Sequence, residues 1–573
     1  MTVRRLGWAL VAPLVALVVL APVVAVVADG FGFGVTAGTG QGGLALPPRV
    51  GSQVLTTVLL LALVAGGTLV VGGGLAWLVT VARFPLRDQL RWLLVLPLAM
   101  PAYILGFVVL STFDQAGTVP RALRAVLGDG LWFPEVRTLG GAALVLTMTL
   151  YPYVYLTARA AFLEQSATTY DAARSLGASR SRALRAVVLP LARPSLAAGL
   201  ALVMMETLTD FATVQYFGVQ TVSVGVYNQF KGSYDFHSAT QLSVLVLLFA
   251  LAVLAVERLL RGRSRFTQRG GRGRGLEPVR LDGVRGWCAT AVCVAALGTG
   301  FLLPVVRLLG WAVTEARRDP AGFVDPRFGG YLLNSVTVAA LAAVACVVVS
   351  LLLGHALRMS DGRWQRGAAQ LTVLGYAVPG VVVGIGVLLA FADLDALVRA
   401  LGVEGGTGLL VTGSVAGILY AYLVRFLAPA YQAVDASLTK VSPSMTMSAL
   451  SLGASPGRVL TRVHLPLARS GVFVALVLVL VDAVKELPLV LLLRPFGFST
   501  VSVWVYELAR ENFWEAAALP SLVIVATALV PVWLLFRRAD VAEAAATPVI
   551  DPTGDPTGDR GPAPSREPVL TRS

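Results

Sequence analysis

Apolar runs recur from the first residues to about Leu535, among them WALVAPLVALVVLAPVVAVVA near the start and VFVALVLVLVDAV near the end. A helix needs roughly 20 apolar residues to cross a bilayer. Backbone polar groups in lipid must be satisfied inside the segment, so such runs are read as spanning helices. Charged residues make up 14% of the chain and hydrophobic ones 56%, whereas soluble domains carry about 25% charged residues. The expected fold class is an all-α membrane protein with spans at about 8–28, 53–80, 92–112, 138–158, 194–214 and 238–257. A second set is expected at about 286–311, 333–357, 368–392, 407–428, 470–492 and 518–537, giving about 12 transmembrane helices in two six-helix halves. The first run follows Arg4 and Arg5 as a signal peptide would, but its length of about 20 residues favours a retained anchor.

The net charge of +14 does not mark a nucleic-acid binder. Arginines cluster in alternate gaps, in 83–91, 159–193, 258–285, 358–366 and 425–469, while gaps such as 312–332 and 494–517 are mixed in sign. This is the positive-inside pattern, and it puts both termini in the cytoplasm. Segment 261–285 reads as a flexible Arg/Gly linker between halves 1–260 and 286–540, its arginines set against anionic lipid. Residues 541–573, rich in Pro, Asp, Thr and Gly, read as a disordered cytoplasmic tail. Cys288, Cys293 and Cys346 have no metal-ligand spacing and read as buried filler, and His237, His355 and His464 as isolated. Tyr216, Tyr227, Tyr234 and Tyr506 are candidates for aromatic anchors at the outer interface.

An internal repeat constrains the chain further. YDAARSLGASRSRALRAVVLPLARPSLAAGL in the first half matches MSALSLGASPGRVLTRVHLPLARSGVFVAL in the second, with SLGAS, nine variable residues and LPLAR in common. Gly177 falls on Gly453 and Pro190 on Pro466 without a gap. Small and apolar residues precede the glycine at helical spacing, the glycine allows a turn or a close approach, and a short basic helix then runs to the proline. Such a helix lies on the membrane, packs on its own bundle, or inserts into a partner's groove. Its duplication favours a partner with two equivalent sites.

The segment resembles the cytoplasmic coupling loop of binding-protein-dependent ABC importer permeases, with Asp171, Ala172 and Ala173 at the acidic-Ala-Ala triplet, then Gly177, Leu189 and Pro190. The second copy offers Met447, Ser448 and Ala449, then Gly453, Leu465 and Pro466, so it lacks the acid. The resemblance, to the type I permease fold, implies coupling loops at 159–193 and 425–469 that dock on two copies of a cytoplasmic ATPase. No G-x-x-x-x-G-K-[ST] phosphate loop occurs in the chain, so ATP and Mg would belong to that partner. The chain itself is expected to be a transport subunit without enzymatic activity or bound cofactor, in a bacterial cytoplasmic membrane.

Ionisable residues within spans are costly and mark pathways or internal pairs. Glu206 and Asp210 lie four residues apart, one helical turn, and fall in repeat register on Asp482 and Glu486, with Lys485 beside them. These five residues either hold helices together or form a gate, contact a passing hard cation, or serve docking of an external binding protein. No resident metal site is assigned. ETLTDFATVQYFGVQTVSVGVYNQF and KELPLVLLLRPFGFSTVSVWVYELA are similar to segments of fused iron(III) importer permeases. That resemblance implies iron(III) as cargo and an extracytoplasmic iron(III)-binding protein as partner. Thiamine or another small organic cation is the alternative within the class, and an ion-gradient-driven secondary transporter the alternative outside it.

Overall fold

The computed structural model describes residues 2–33, 49–164, 175–177, 179, 182, 184–261, 279–320, 323–360, 362–373, 375, 378–403 and 413–546. Asp171, Ala172 and Ala173 of the first triplet and residues 262–278 of the linker lie outside them.

Helices dominate. In chain order they are α1 (Thr2–Gly30), α2 (Val50–Thr68) leading through a π-helical turn into α3 (Gly74–Val81), α4 (Arg87–Leu93), α5 (Ala102–Phe113), α6 (Thr118–Leu127), α7 (Leu139–Glu164), α8 (Leu189–Thr209), α9 (Ala212–Tyr216), α10 (Val222–Tyr227) and α11 (Phe236–Arg261). Then come α12 (Val284–Leu297), α13 (Leu303–Arg318), α14 (Pro326–Met359), α15 (Arg363–Val373), α16 (Gly380–Ala400), α17 (Val415–Leu438), α18 (Pro443–Ser451), α19 (Pro456–Val459), α20 (Leu465–Lys485), α21 (Pro488–Leu493), α22 (Val501–Arg510) and α23 (Trp514–Ala546). Among the described residues, 11 helical segments are long and apolar enough to cross a membrane. They expose many apolar side chains, such as Leu55, Leu63, Val70, Leu248 and Leu341, that lipid would cover.

Five sequence expectations change. The span expected at 407–428 is helical as α17 but is not among the 11, because its tyrosines, Arg425 and Pro429 dilute its apolar character. The span expected at 92–112 is broken: Leu96–Ala99 form a 3-10 turn, Met100 is extended, and α5 starts only after Pro101. Pro97 and Pro101 lack the N–H that a continuous helix needs. The span expected at 368–392 breaks in the same way before Pro379, where α16 begins. The linker's last residues are not free chain. Val279 and Arg280 (β2) pair in parallel with Ala82 and Arg83 (β1), and Leu281 N donates to Arg83 O at 2.9 Å. The tail boundary also moves, since α23 continues to Ala546.

Close packing follows small residues. A Cβ on Gly72 would meet Tyr151 O at 2.5 Å, and one on Gly471 would meet Ser437 Oγ at 2.4 Å and Ala433 O at 2.5 Å. These glycines let α2/α3 approach α7, and α20 approach α17, at backbone distance. Helices α2, α7 and α8 pack mutually, as do α14, α17 and α20. Packing also links elements far apart in the chain: α1 packs on α15 and α16 as well as on α11, and α12 and α13 pack on α4, α5 and α23. Two short helices are each tied by the first N–H to a hydroxyl on a long one. Val222 N donates to Thr57 Oγ1 at 3.0 Å, and Val501 N to Ser335 Oγ at 2.9 Å.

Candidate functional site

Where both copies of the repeated turn are described, their features match. Gly177 and Gly453 have φ of +85° and +82°, a region where an L side chain is strained. In the second copy the turn ends α18: Gly453 N donates to Leu450 O and Ala454 N to Ala449 O, both at 3.0 Å, a left-handed glycine cap. Ser179 Oγ then accepts from Arg182 N, and Ser455 Oγ from Arg458 N, each at 3.3 Å, so each serine starts the next helical turn. π-Helical turns at Leu184–Val188 and Leu460–His464 lead into Leu189–Pro190 and Leu465–Pro466. Each proline cannot donate to the carbonyl four residues back, and the widened turn accommodates that loss. Sequence reasoning missed one feature here: Leu176 and Leu452, each next to the cap glycine, are both 88% exposed. No Cβ contact within 4 Å constrains either glycine. These are two open apolar knuckles in matching positions.

His355 and His464 are not isolated. Their Nδ1 atoms lie 2.9 Å apart, so one imidazole donates to the other, and His464 Nε2 is 3.0 Å from Thr446 Oγ1. Trp8 packs edge-on to His355. The buried pair fastens the second repeated segment to α14. The cysteine reading holds for Cys293 and Cys346, which are buried, whereas Cys288 is exposed.

The candidate acids converge. Glu206, Asp210, Lys485 and Glu486 line one cavity of about 130 Å³, with Tyr103, Tyr153 and Arg425. Asp482 is held beside it by Lys485, with Nζ to Oδ1 at 2.8 Å. The helix breaks create this space. α8 ends at Thr209 and α20 at Lys485, so Asp210 and Glu486 sit where the backbone leaves the helix. Asp210 then accepts from Thr213 N at 2.8 Å and Thr213 Oγ1 at 2.6 Å, which starts α9. Glu486 accepts from Leu489 N at 3.4 Å, which starts α21. Thus two of the four acids also serve as local caps. Arg425, which the charge pattern counts among the cytoplasmic arginines of 425–469, lies instead buried within α17. It is buried against Glu486, Nε to Oε2 at 3.4 Å, and its Nη1 donates to Val378 O, at 3.4 Å, in the break before Pro379.

Three of the tyrosines expected at a membrane interface instead meet inside the helix bundle. Tyr216 stacks on Tyr506 at 5.6 Å, Tyr506 Oη donates to Gln215 Oε1 at 2.6 Å, and Phe211 stacks on Tyr227 at 4.8 Å. Their ring areas are buried at a helix junction, where stacking outweighs exposure to headgroups. Tyr234 alone of the four is exposed. Glu206 lies between this aromatic layer and the repeated turn along α8. Among the described residues, no group of three or more His, Cys, Asp or Glu side chains is placed to hold a metal ion.

Comparison with known proteins fits a transport subunit. Residues 69–265 match the family described as binding-protein-dependent transport system inner membrane component. A Haemophilus influenzae protein named Fe(3+)-transport system permease protein FbpB 2 is 24% identical over 497 residues, covering 86% of this chain and 91% of that one. A Salmonella typhimurium protein named for 2-aminoethylphosphonate transport is 30% identical over 250 residues, 42% of this chain and 89% of that one. The sulfate transport system permease protein CysT of the same organism is 28% identical over 201 residues, 34% of this chain and 70% of that one. The chain belongs to the family of inner membrane components of binding-protein-dependent transport systems. It is therefore a multi-pass permease of an ABC importer, a non-catalytic component whose family membership implies a partner ATPase and an extracytoplasmic binding protein.

Proposed function

We propose that this chain is a fused permease carrying both membrane halves of an importer, and that its cargo is iron(III). The observation that carries the reading is the cavity of carboxylates and tyrosines to which both halves contribute. Carboxylate and phenol oxygens suit a hard cation. The relative named for Fe(3+) transport supports the same cargo, since the similarity spans 86% of this chain. With α17 counted, the helices number twelve, six in each half, and the halves are related by a pseudo-twofold axis with the pathway between them. The packing of α1 and of α12–α13 on elements far apart in the chain supports that arrangement.

In the proposed cycle the turns at Leu176–Gly177 and Leu452–Gly453 face the cytoplasm, as do both termini, in a bacterial cytoplasmic membrane. They dock on two copies of the ATPase. Closure of that dimer around ATP and Mg drives the halves apart at their outer ends, where the layer of Phe211, Tyr216, Tyr227 and Tyr506 forms the outer gate. An external iron(III)-binding protein then releases cargo to the cavity, and ATP hydrolysis resets the halves. The residues in Asp171–Ala173 would complete the first docking surface, matched by Ala449 in the second.

The test is uptake by the reconstituted permease, ATPase and binding protein, comparing radiolabelled iron(III) with radiolabelled thiamine, with and without ATP. ATP-dependent iron uptake that thiamine does not compete supports the reading. ATP-dependent uptake of thiamine alone overturns the cargo and keeps the importer. Uptake driven by an ion gradient without ATP overturns the coupling scheme.

A further inference from the structure

The four acids at the cavity are in unequal states, and the inequality divides the halves. In the second half both are closed into ion pairs, Asp482 with Lys485 and Glu486 with Arg425. The first half offers no such cations. In the register that aligns Gly177 with Gly453, Lys485 falls on Thr209; aligning Pro152 with Pro429 puts Arg425 on Met148. Asp210 has both carboxylate oxygens engaged by Thr213. Glu206 has no hydrogen bond or ion pair among the described residues, and it lines the cavity. The same cavity holds a second uncommitted group. Tyr103 is 6% exposed, its hydroxyl has no hydrogen-bond partner, and it lines the same cavity. A buried hydroxyl without a partner and a carboxylate without a counter-ion both carry a cost that a ligand would remove.

We propose that Glu206, with the Tyr103 hydroxyl, makes the direct contact to a cationic cargo, while Asp482–Lys485 and Glu486–Arg425 are internal latches that hold the second half's breaks in place. The cargo's identity as iron(III) rests on the reading above; the one-sided cation site rests on the pairing. Four carboxylates against two basic side chains leave the cavity two charges short of neutral, and both uncompensated acids lie on the first half. A hard cation coordinated there gains charged oxygen donors without breaking an existing ion pair. In the second half the same cation would have to displace Arg425 or Lys485.

The experiment uses the full complex in proteoliposomes with iron(III), thiamine and sulfate as separate probes. Glu206→Gln should lower cation uptake by about tenfold or more, the scale of a lost charge-assisted contact. Tyr103→Phe should lower it severalfold, and Glu206→Asp should retain more uptake than Glu206→Gln. The double variant Asp482→Asn with Lys485→Met should lose less uptake than Glu206→Gln, because it removes a neutral pair and leaves the Glu206 carboxylate in place. Co-purification of the ATPase in each variant shows that the complex is intact. Unchanged cation uptake in Glu206→Gln, or an equal loss in the Asp482/Lys485 double variant, overturns the proposal and leaves the iron reading standing. Wild-type uptake of thiamine but not iron removes the iron reading, and the proposal then stands or falls on thiamine uptake by the same variants. Uptake of sulfate alone overturns both.

Discussion

The exposed leucines of the repeated turn allow docking and folding to be separated. Leu176 and Leu452 are 88% exposed, so truncating either to alanine removes almost no internal contact, and the permease should melt within about 1 °C of wild type, as expected for a surface change within ±0.5 kcal/mol. If each inserts into an ATPase groove, the lost burial is worth about 2 kcal/mol at ~0.8 kcal/mol per CH₂, or roughly thirtyfold in affinity. The two sites are distinct and add, so Leu176→Ala with Leu452→Ala should weaken binding by about a thousandfold. The assay is binding of the ATPase to permease in nanodiscs by interferometry, with thermal melting of the permease alone as the control. Unchanged affinity in the double variant would refute the docking assignment. A large drop in melting temperature without the partner would refute the claim that these side chains are free to dock.

Other expectations follow from the packing. Arg425→Met should cost about 3–5 kcal/mol by stranding buried Glu486, and adding Glu486→Leu should recover most of it, as differential melting in nanodiscs would show. Thr57→Ala and Ser335→Ala should each cost about 1–3 kcal/mol, because each leaves a buried N–H, of Val222 or Val501, without its acceptor. Near-equal losses support equivalent roles in the two halves, and no loss in either counts against both bonds. Gly471→Leu should prevent close packing of α20 on α17, read as loss of folded permease by fluorescence size-exclusion; a Cβ there already meets Ser437 and Ala433 well inside contact distance.

The sequence alone was sufficient for the membrane class, because hydrocarbon solvent leaves long apolar helices few alternatives. The repeated SLGAS…LPLAR segment also disclosed its own turn and the helix that follows it, since a glycine and a following proline act on neighbours in the chain. The acids Glu206, Asp210, Asp482 and Glu486 could be picked out because ionisable residues are rare in spans. What they do could not be read there. Arg425 lies some sixty residues from Glu486 in the chain, and Tyr103 a hundred from Glu206. Asp482 and Lys485 pair locally, three residues apart on one helix, but only helix packing decided that Glu486 gained Arg425, that the Tyr103 hydroxyl was left alone, and that His355 reaches His464. The tyrosines show the same limit: composition marks them as amphipathic, and only the junction between helices chose a stacked layer over a lipid interface. Local rules act through a few bonds along the chain, whereas charge pairing and burial depend on distances that the fold sets.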